Sequence, residues 1–367
     1  MSTAFAAFVA GSLRAERFTF IDIGCSGGID PTWRVFGERL RALAFDASID
    51  ECQRLTAQES HPDVRYIGGF VGLEPDHPFA RIAADAPFIT RNPFARTSAA
   101  RTFQLQKERL ASASLTEKLH HNAWSLTRLG DPDRPVIVPN VLAGLAWTDV
   151  DLLKIDIDGP DYKVLHSFED RFDTLGLLAA RLEVNLCGGT GAAEHVFHNT
   201  DRFMRDKGFE LFGLDVRTYS MAQLPARFAI TAPAQTVSGR PVQGEAYYAR
   251  DPAGPDWKAH GQRMRPEKLA KLAAIFSAWG QPDAAAELLQ EFRDKLASVF
   301  DVDAGLELLA GQAQDKHPEA LPYADYVAAF EAGEPSFYPP SGEIPPRTAG
   351  RRLKAALSAF RNPDHVI

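Results

Sequence analysis

The segment Phe18–Gly28, FTFIDIGCSGG, constrains this chain more than any other. Phe18–Ile23 is a short apolar run that reads as a buried strand, and the glycines after it permit a tight turn at its carboxyl end. Pro31 then suits the first turn of a helix, with Trp33, Val35, Phe36 and Leu40 recurring at helical spacing. A strand, a glycine turn and a helix in that order open an α/β sheet, which holds its ligands outside the carboxyl ends of its strands.

The spacing in the turn is D-x-G-x-x-x-G, not the G-x-G-x-x-G that brings a helix N-terminus to a pyrophosphate. Asp22 at the strand end opposes a pyrophosphate and suits a cationic ligand. S-adenosylmethionine is such a ligand, carrying an ammonium, a carboxylate and a sulfonium. Gly24, Gly27 and Gly28 let the backbone approach it, and the amides through Cys25 and Ser26 can receive its carboxylate. A second strand, Ala42–Phe45, ends in Asp46, which is placed to accept hydrogen bonds from ribose hydroxyls. Together these features favour S-adenosylmethionine over NAD.

Strands and helices alternate further along. A polar helix around Glu51–Gln58 and a strand over Arg65–Val71 lead into residues 74–133, a loop-rich insertion with a helix expected from Thr102 to Leu129. An insertion of that length usually serves as a lid or substrate loop. Strands follow at Pro135–Val138, Val150–Ile157 and Leu177–Leu186, with helices from Tyr162 and over Glu194–Lys207. Phe209–Leu214 and Glu245–Arg250 read as a closing antiparallel pair. The pattern predicts a parallel sheet covered on both faces.

After Asp251 the character changes to two amphipathic helices around Gly280–Asp283, with Asp283 as a helix cap. They form one tetratricopeptide-like helical hairpin without a second copy. A Pro-rich stretch over Pro335–Pro346 and a basic helix around Arg351–Arg361 end the chain. The reading divides residues 1–251, the cofactor domain, from 252–367, a helical appendage for docking or for a homodimer.

At 367 residues a two-domain chain is expected. A net charge of −8 gives no global pull toward nucleic acid. Cys25, Cys52 and Cys187 are odd in number and lack a CxxC spacing, which excludes a disulfide framework and suits a reducing compartment. The apolar N-terminal stretch AFAAFVAGSL is about half the roughly 20 residues a bilayer crossing needs. With no basic residue before it, it reads as a helix covering an edge of the fold rather than a signal peptide. These features predict a soluble, cytoplasmic protein with no membrane span.

The segment DLLKIDIDGPDY places Asp156, Asp158 and Asp161 at a strand's carboxyl end, and RLEVNL adds Glu183 and Asn185 on one face of the next strand. Such carboxylates either accept a proton from an attacking hydroxyl or hold a divalent cation such as magnesium, for which Asp156 and Glu183 are the candidates. Turn and helix-cap chemistry is the competing reading for Asp158 and Asp161. His195 and His198 share one side of a helix and are candidate bases, as are His120 and His121; a surface position is the alternative for each. Cys25 reads as a small buried residue rather than a nucleophile.

FIDIGCSGGID, DLLKIDIDGPDYKVL, RLEVNL and FMRDKGFELFGLDVRTYSMAQLP resemble successive blocks of the FkbM-family methyltransferases, and GRPVQGEAYYARD resembles that family's closing strand. The resemblance covers Phe18 to Asp251 and skips the insertion. It implies a Rossmann-like seven-stranded class I methyltransferase sheet using S-adenosylmethionine to methylate hydroxyls of sugars, glycolipids or polyketides. It places Gly24 and Gly28 at the methionine end of the cofactor, Asp46 at the ribose and Asp156 on the reaction side. The family's Gly-x-Glu is Gly159-Pro160-Asp161 in this chain. In-line attack by a substrate hydroxyl is the expected chemistry, with Asp156, Asp158, Glu183 and His195 as candidate catalytic groups. The alternative is a scaffold that has kept the fold, lost catalysis and binds a partner through its C-terminal helices. A nicotinamide oxidoreductase is disfavoured by the turn.

Overall fold

The computed structural model describes residues 3–83, 128–157, 159–219, 240–255, 257–314 and 321–333. They form two compact units, Met1–Val302 and Asp303–Ile367. The first holds a seven-stranded sheet in the order β3-β2-β1-β4-β5-β7-β6. Its strands are β1 (Phe18–Ile23), β2 (Leu40–Asp46), β3 (Val64–Gly68), β4 (Leu152–Ile155), β5 (Ala179–Asn185), β6 (Glu210–Tyr219) and β7 (Arg240–Ala249). Strands β1 to β5 are parallel, and β7 runs antiparallel to both β5 and β6. This is the Rossmann-like seven-stranded class I sheet, with helices on both faces.

Alternation along β1 sends its residues to two different environments. Ile21 and Ile23 join Leu153, Ile155, Leu182 and Val184 in one apolar layer. The helices α4 (Val138–Gly144), α5 (Asp161–His166) and α6 (Phe197–Asp206) close that layer with Leu142, Val164 and Met204. Phe18 and Phe20 face the other side, where Phe18 stacks on Phe36 and Trp33 of a 3-10 helix, Pro31–Arg39. The N-terminal helix α1 (Ala4–Ser12), capped by Thr3, lies against this side too. Helices α2 (Ile49–Gln58) and α3 (Pro78–Ala83) follow β2 and β3.

Several elements differ from the sequence reading. The strand expected at Pro135–Val138 is only one parallel bridge, Val71 to Val136. Pro135 has no amide to donate, and α4 starts at Val138 with Pro139 in its first turn. The helix expected from Glu194 starts at Phe197, because the Glu194 carboxylate accepts the Gly189 and Gly191 amides instead. The closing strands are longer than the apolar runs suggested, because each spans the other's full length. Residues 84–127, 335–346 and 351–361 lie outside the described residues, and with them most of the insertion, its helix and the basic tail.

The helices after Asp251 are α7 (Lys258–Arg263), α8 (Pro266–Ala278), α9 (Pro282–Glu291) and α10 (Arg293–Leu296). Helix α8 is not amphipathic in place: every residue from Lys268 to Ser277 is buried. Its two lysines share one carboxylate. Asp151, fully buried at the start of β4, accepts Lys268 Nζ at 2.7 Å, Lys271 Nζ at 2.9 Å and the Thr19 amide at 2.8 Å. Thr3 Oγ1 and Ser277 Oγ, 2.6 Å apart, add a tie from α1 to α8. Asp283 lies inside the first turn of α9, whose cap is Gln281 followed by Pro282. The second unit contains α11 (Val302–Gln314) and α12 (Tyr323–Gly333), with the Tyr323 amide on Glu307. No helix among the described residues is long and apolar enough to cross a membrane.

Candidate functional site

Sequence order in the sheet reverses between β1 and β4, and a crevice opens where their loops part. The turn after β1 lies at this point. Gly24, Gly27 and Gly28 have φ of +94°, +84° and +101°, a region that costs any side chain but glycine's. At Gly24 space matters as well: a Cβ there would sit 1.8 Å from the Asp156 carbonyl oxygen. The turn hangs from β2, with the Gly24 and Cys25 amides donating to the Phe45 carbonyl at 2.8 and 3.0 Å. Ser26 and Gly27 are exposed, and nothing lies within 4 Å of where a Gly27 Cβ would be.

Asp46, buried at the end of β2, accepts the Ser48 amide at 2.8 Å and faces the Ser26 amide. Burial raises its carboxyl pKa, with the Ser48 amide pulling the other way. The Gly27 amide already holds a carboxylate, that of Glu51, at 3.1 Å. A cradle open at Gly27, an amide there that donates to a carboxylate and an acid on the adjacent strand together fit S-adenosylmethionine.

Beneath the turn lies a charge cluster. Lys154 Nζ donates to Asp22 Oδ1 and to the Gly24 carbonyl, both at 3.0 Å, and lies 3.7 Å from Asp156 Oδ2. Burial, only partly offset by this ammonium, pushes the Asp22 carboxyl up to about 6. Burial also works against the Lys154 charge, but Asp22 and Asp156 outweigh it and raise its pKa. Asp22 therefore supports the turn from below with its charge already paired. The register continues this row across the sheet, Asp22 to Lys154 to Arg181 to Tyr247. Arg181 pairs with Glu245 and lies 3.4 Å from Asp30.

The other predicted residues divide. Asp156 follows β4, only partly buried, with its amide on the Ile23 carbonyl at 2.9 Å. Asp158 lies outside the described residues. Asp161 is a turn clamp: its two oxygens accept the Ile157 and Gly159 amides at 2.9 Å. Glu183 is buried beside Gln243, with Arg217 at 3.8 Å. His195 braces β5 to that turn: Nδ1 lies 3.0 Å from the Gly159 carbonyl and Nε2 2.9 Å from that of Glu183. The Asn185 amide nitrogen also lies 3.4 Å from Nδ1, so both ring nitrogens already have structural partners. His198 is exposed on α6, and His120 and His121 lie outside the described residues.

Among the described residues no group of three or more His, Cys, Asp or Glu side chains could hold a metal ion. Asp156 faces Lys154 and Glu183 faces Gln243 and Arg217, so the two do not make a shared cation site.

Sequence reading missed Lys154 and Glu51. Lys154 stands in an apolar strand, where a charge demands a buried partner, and that was a usable signal. Glu51 looked like any acid in a helix's first turn. A cavity of about 770 Å³ beside Asp173, Arg250 and Trp257 lies at the opposite end of the sheet.

Strand order, the reversed β7 and a glycine turn at the switch point define the class I methyltransferase fold. No protein-family model matches the chain, and no curated protein matches it. Among solved structures it is similar to a TehB-like SAM-dependent methyltransferase from Corynebacterium glutamicum, at 11% identity and a TM-score of 0.26 over 67% of this chain and 87% of that one. Fibrillarin from Aeropyrum pernix, solved with natively bound S-adenosyl-L-methionine, matches at 10% identity and a TM-score of 0.32 over 67% and 76%. Magnesium protoporphyrin IX methyltransferase from Synechocystis, with bound SAM, matches at 8% identity and 0.29 over the same shares. The fold assignment rests on the strand order itself.

Proposed function

We propose that this chain is an S-adenosylmethionine-dependent O-methyltransferase whose acceptor is a hydroxyl of a sugar, glycolipid or polyketide-type molecule. The observation that carries the cofactor is the switch-point turn, with Gly24 backed onto the Asp156 carbonyl, Gly27 open above and Asp46 on the neighbouring strand. The acceptor class rests on the FkbM resemblance. When bound, the cofactor supplies a methyl group activated by a positively charged sulfur.

The chain's own residues supply position and proton removal. The exposed turn at Gly27 takes the cofactor's methionine end, whose carboxylate replaces that of Glu51 on the Gly27 amide, and Asp46 accepts its ribose hydroxyls. Asp156, partly exposed and next to the turn, accepts the proton of the attacking hydroxyl. Lys154 holds that carboxylate and the turn in one arrangement. Glu183, Asp161 and His195 stiffen the wall behind it.

The test is binding followed by transfer. Micromolar affinity for S-adenosylhomocysteine, then methylation of a member of a hydroxyl acceptor panel, supports the reading. Binding without transfer to any hydroxyl, with transfer to a nitrogen or carbon acceptor, would refute the O-methyl assignment.

A further inference from the structure

At the end of the sheet away from the glycine turn, the loop before β5, the turn before β6 and the segment after Asp251 surround an open cavity of about 770 Å³. That is room for a small organic molecule. Arg250, the residue after β7, lines it with a side chain only 5% exposed. Two aromatic rings hold its guanidinium, the Phe209 centroid at 4.5 Å and the Trp257 centroid at 5.6 Å. Gly208, at φ +79°, makes this close approach possible: a Cβ there would run into the Trp257 ring and lie 3.0 Å from Arg250 Nη1.

A guanidinium presents its N–H donors as a rigid fork. Arg250 spends one nitrogen, Nη2, on Asp173 Oδ1, and among the described residues Nε and Nη1 have no acceptor. Asp173 is itself 84% exposed, so the only carboxylate on this buried cation is a surface group that water replaces at little cost. The other cations around the cavity are engaged. Lys268 Nζ donates to Asp151 at 2.7 Å and to the Gly176 carbonyl at 2.9 Å, Lys207 lies 3.4 Å from Glu169, and Arg205 pairs with Asp201 and Glu210. Burial and the Arg250 charge both lower the His260 pKa, which leaves that ring neutral near pH 7. Asp170 and Asp206, exposed at the mouth, place negative charge there.

We propose that this cavity binds an organic monocarboxylate, whose head group displaces Asp173 from Arg250 and whose apolar body lies against Trp257, Phe172 and Leu177. A planar carboxylate matches two parallel donors of the guanidinium fork. One guanidinium neutralises one negative charge, and the acids at the mouth repel a second. A carboxylate is therefore preferred to a phosphate dianion. The rings and leucine of the wall favour a ligand with an apolar body over a bare inorganic anion. The site is separate from the glycine turn, so it does not depend on the cofactor reading.

Calorimetric titration of the full chain with three probes that share one body tests this: naphthoate, naphthyl phosphate and naphthylmethylamine. One saturable site for the carboxylate is expected, at least about tenfold tighter than for the phosphate or the amine. Asp173→Asn removes the competing carboxylate and should tighten naphthoate binding about two- to fivefold. Arg250→Gln should weaken it at least about tenfold through the lost charge-assisted hydrogen bonds. Should Arg250→Gln fail to fold, the Asp173→Asn titration and the ranking of the probes still decide. No saturable site, equal affinity for the three probes, or tighter binding of the phosphate or the amine would overturn the proposal. So would unchanged or weaker naphthoate binding in Asp173→Asn, or competition by S-adenosylhomocysteine, which would put the probe at the glycine turn.

Discussion

Lys154 Nζ donates to Asp22 Oδ1 at 3.0 Å across neighbouring parallel strands, directly below the glycine turn. Neither group has another opposite charge as close: Asp156 is 3.7 Å from the ammonium. Removing Asp22 leaves the ammonium with Asp156 and the Gly24 carbonyl, and removing Lys154 leaves a buried carboxyl that can protonate, so each loss should be about 1–3 kcal/mol. Asp22→Asn and Lys154→Met should each lower stability in urea unfolding. The double variant should lose less than the sum, by about 1–3 kcal/mol of coupling. Additive losses would mean that the two act independently.

The same pair predicts a pH effect with a definite sign. Asp22 titrates near 6 in the fold, against an ordinary value of 3.8. Above 6 the Asp22, Asp156 and Lys154 cluster carries one net negative charge; below 6, with Asp22 protonated, it carries none. S-adenosylmethionine has a sulfonium where S-adenosylhomocysteine has a neutral thioether, so its relative affinity should fall about 3- to 10-fold from pH 7 to pH 5. Paired titrations at the two pH values check this, and Asp22→Asn should flatten the ratio. For stability the shift runs the opposite way: the fold binds a proton that the unfolded chain releases between about 4 and 6, so this residue's contribution is full below 4 and is lost as pH rises through 6.

Asp46→Ala should weaken S-adenosylhomocysteine binding by about 1–3 kcal/mol through lost charge-assisted hydrogen bonds. Asp46→Asn is the informative companion, because it keeps an oxygen for the Ser48 amide while losing the charge. Calorimetry on both should show weakened binding, with Asn the milder change. Parent-like affinity in the Ala variant would remove Asp46 from the ligand.

Asp151 tests whether the helices after Asp251 fold with the sheet. Burial alone would raise its carboxyl, but Lys271 and Lys268 outweigh it and hold it below the ordinary value. Its stabilisation is present above that ordinary value and is lost as pH falls through the lower folded one. Asp151→Ala removes the carboxylate both ammonium groups share, leaving Lys268 to Asp149 and Lys271 to Glu16 at 3.9 Å, and should cost about 3 kcal/mol in urea unfolding. The S-adenosylhomocysteine affinity of the folded variant should stay within about twofold, since Asp151 is fully buried and lies outside the glycine turn and Asp46. A small stability loss would mean that α8 contributes little to holding β4.

Much of this was legible in the sequence because each legible piece was local. FTFIDIGCSGG shows its strand and turn in one window, and Asp46 needs only the end of the next strand. The pairing of Asp22 with Lys154 was not legible, since it joins residues distant in sequence through strand order. His195 illustrates the same limit: its place after β5 was visible, but not the two carbonyls that occupy its ring. The burial of α8 depends on Asp151 meeting Lys268 and Lys271, and no helical periodicity in KLAKLAAIFSAWG announces it. The insertion over residues 74–133 offered no period to read.

A nucleoside cofactor at the β1–β4 switch point is tested by calorimetric titration of the reduced chain with S-adenosylhomocysteine, run beside NAD. One site with micromolar affinity for S-adenosylhomocysteine, weakened by Asp46→Ala, and no heat from NAD are expected. Binding of NAD, or of neither ligand, would contradict it.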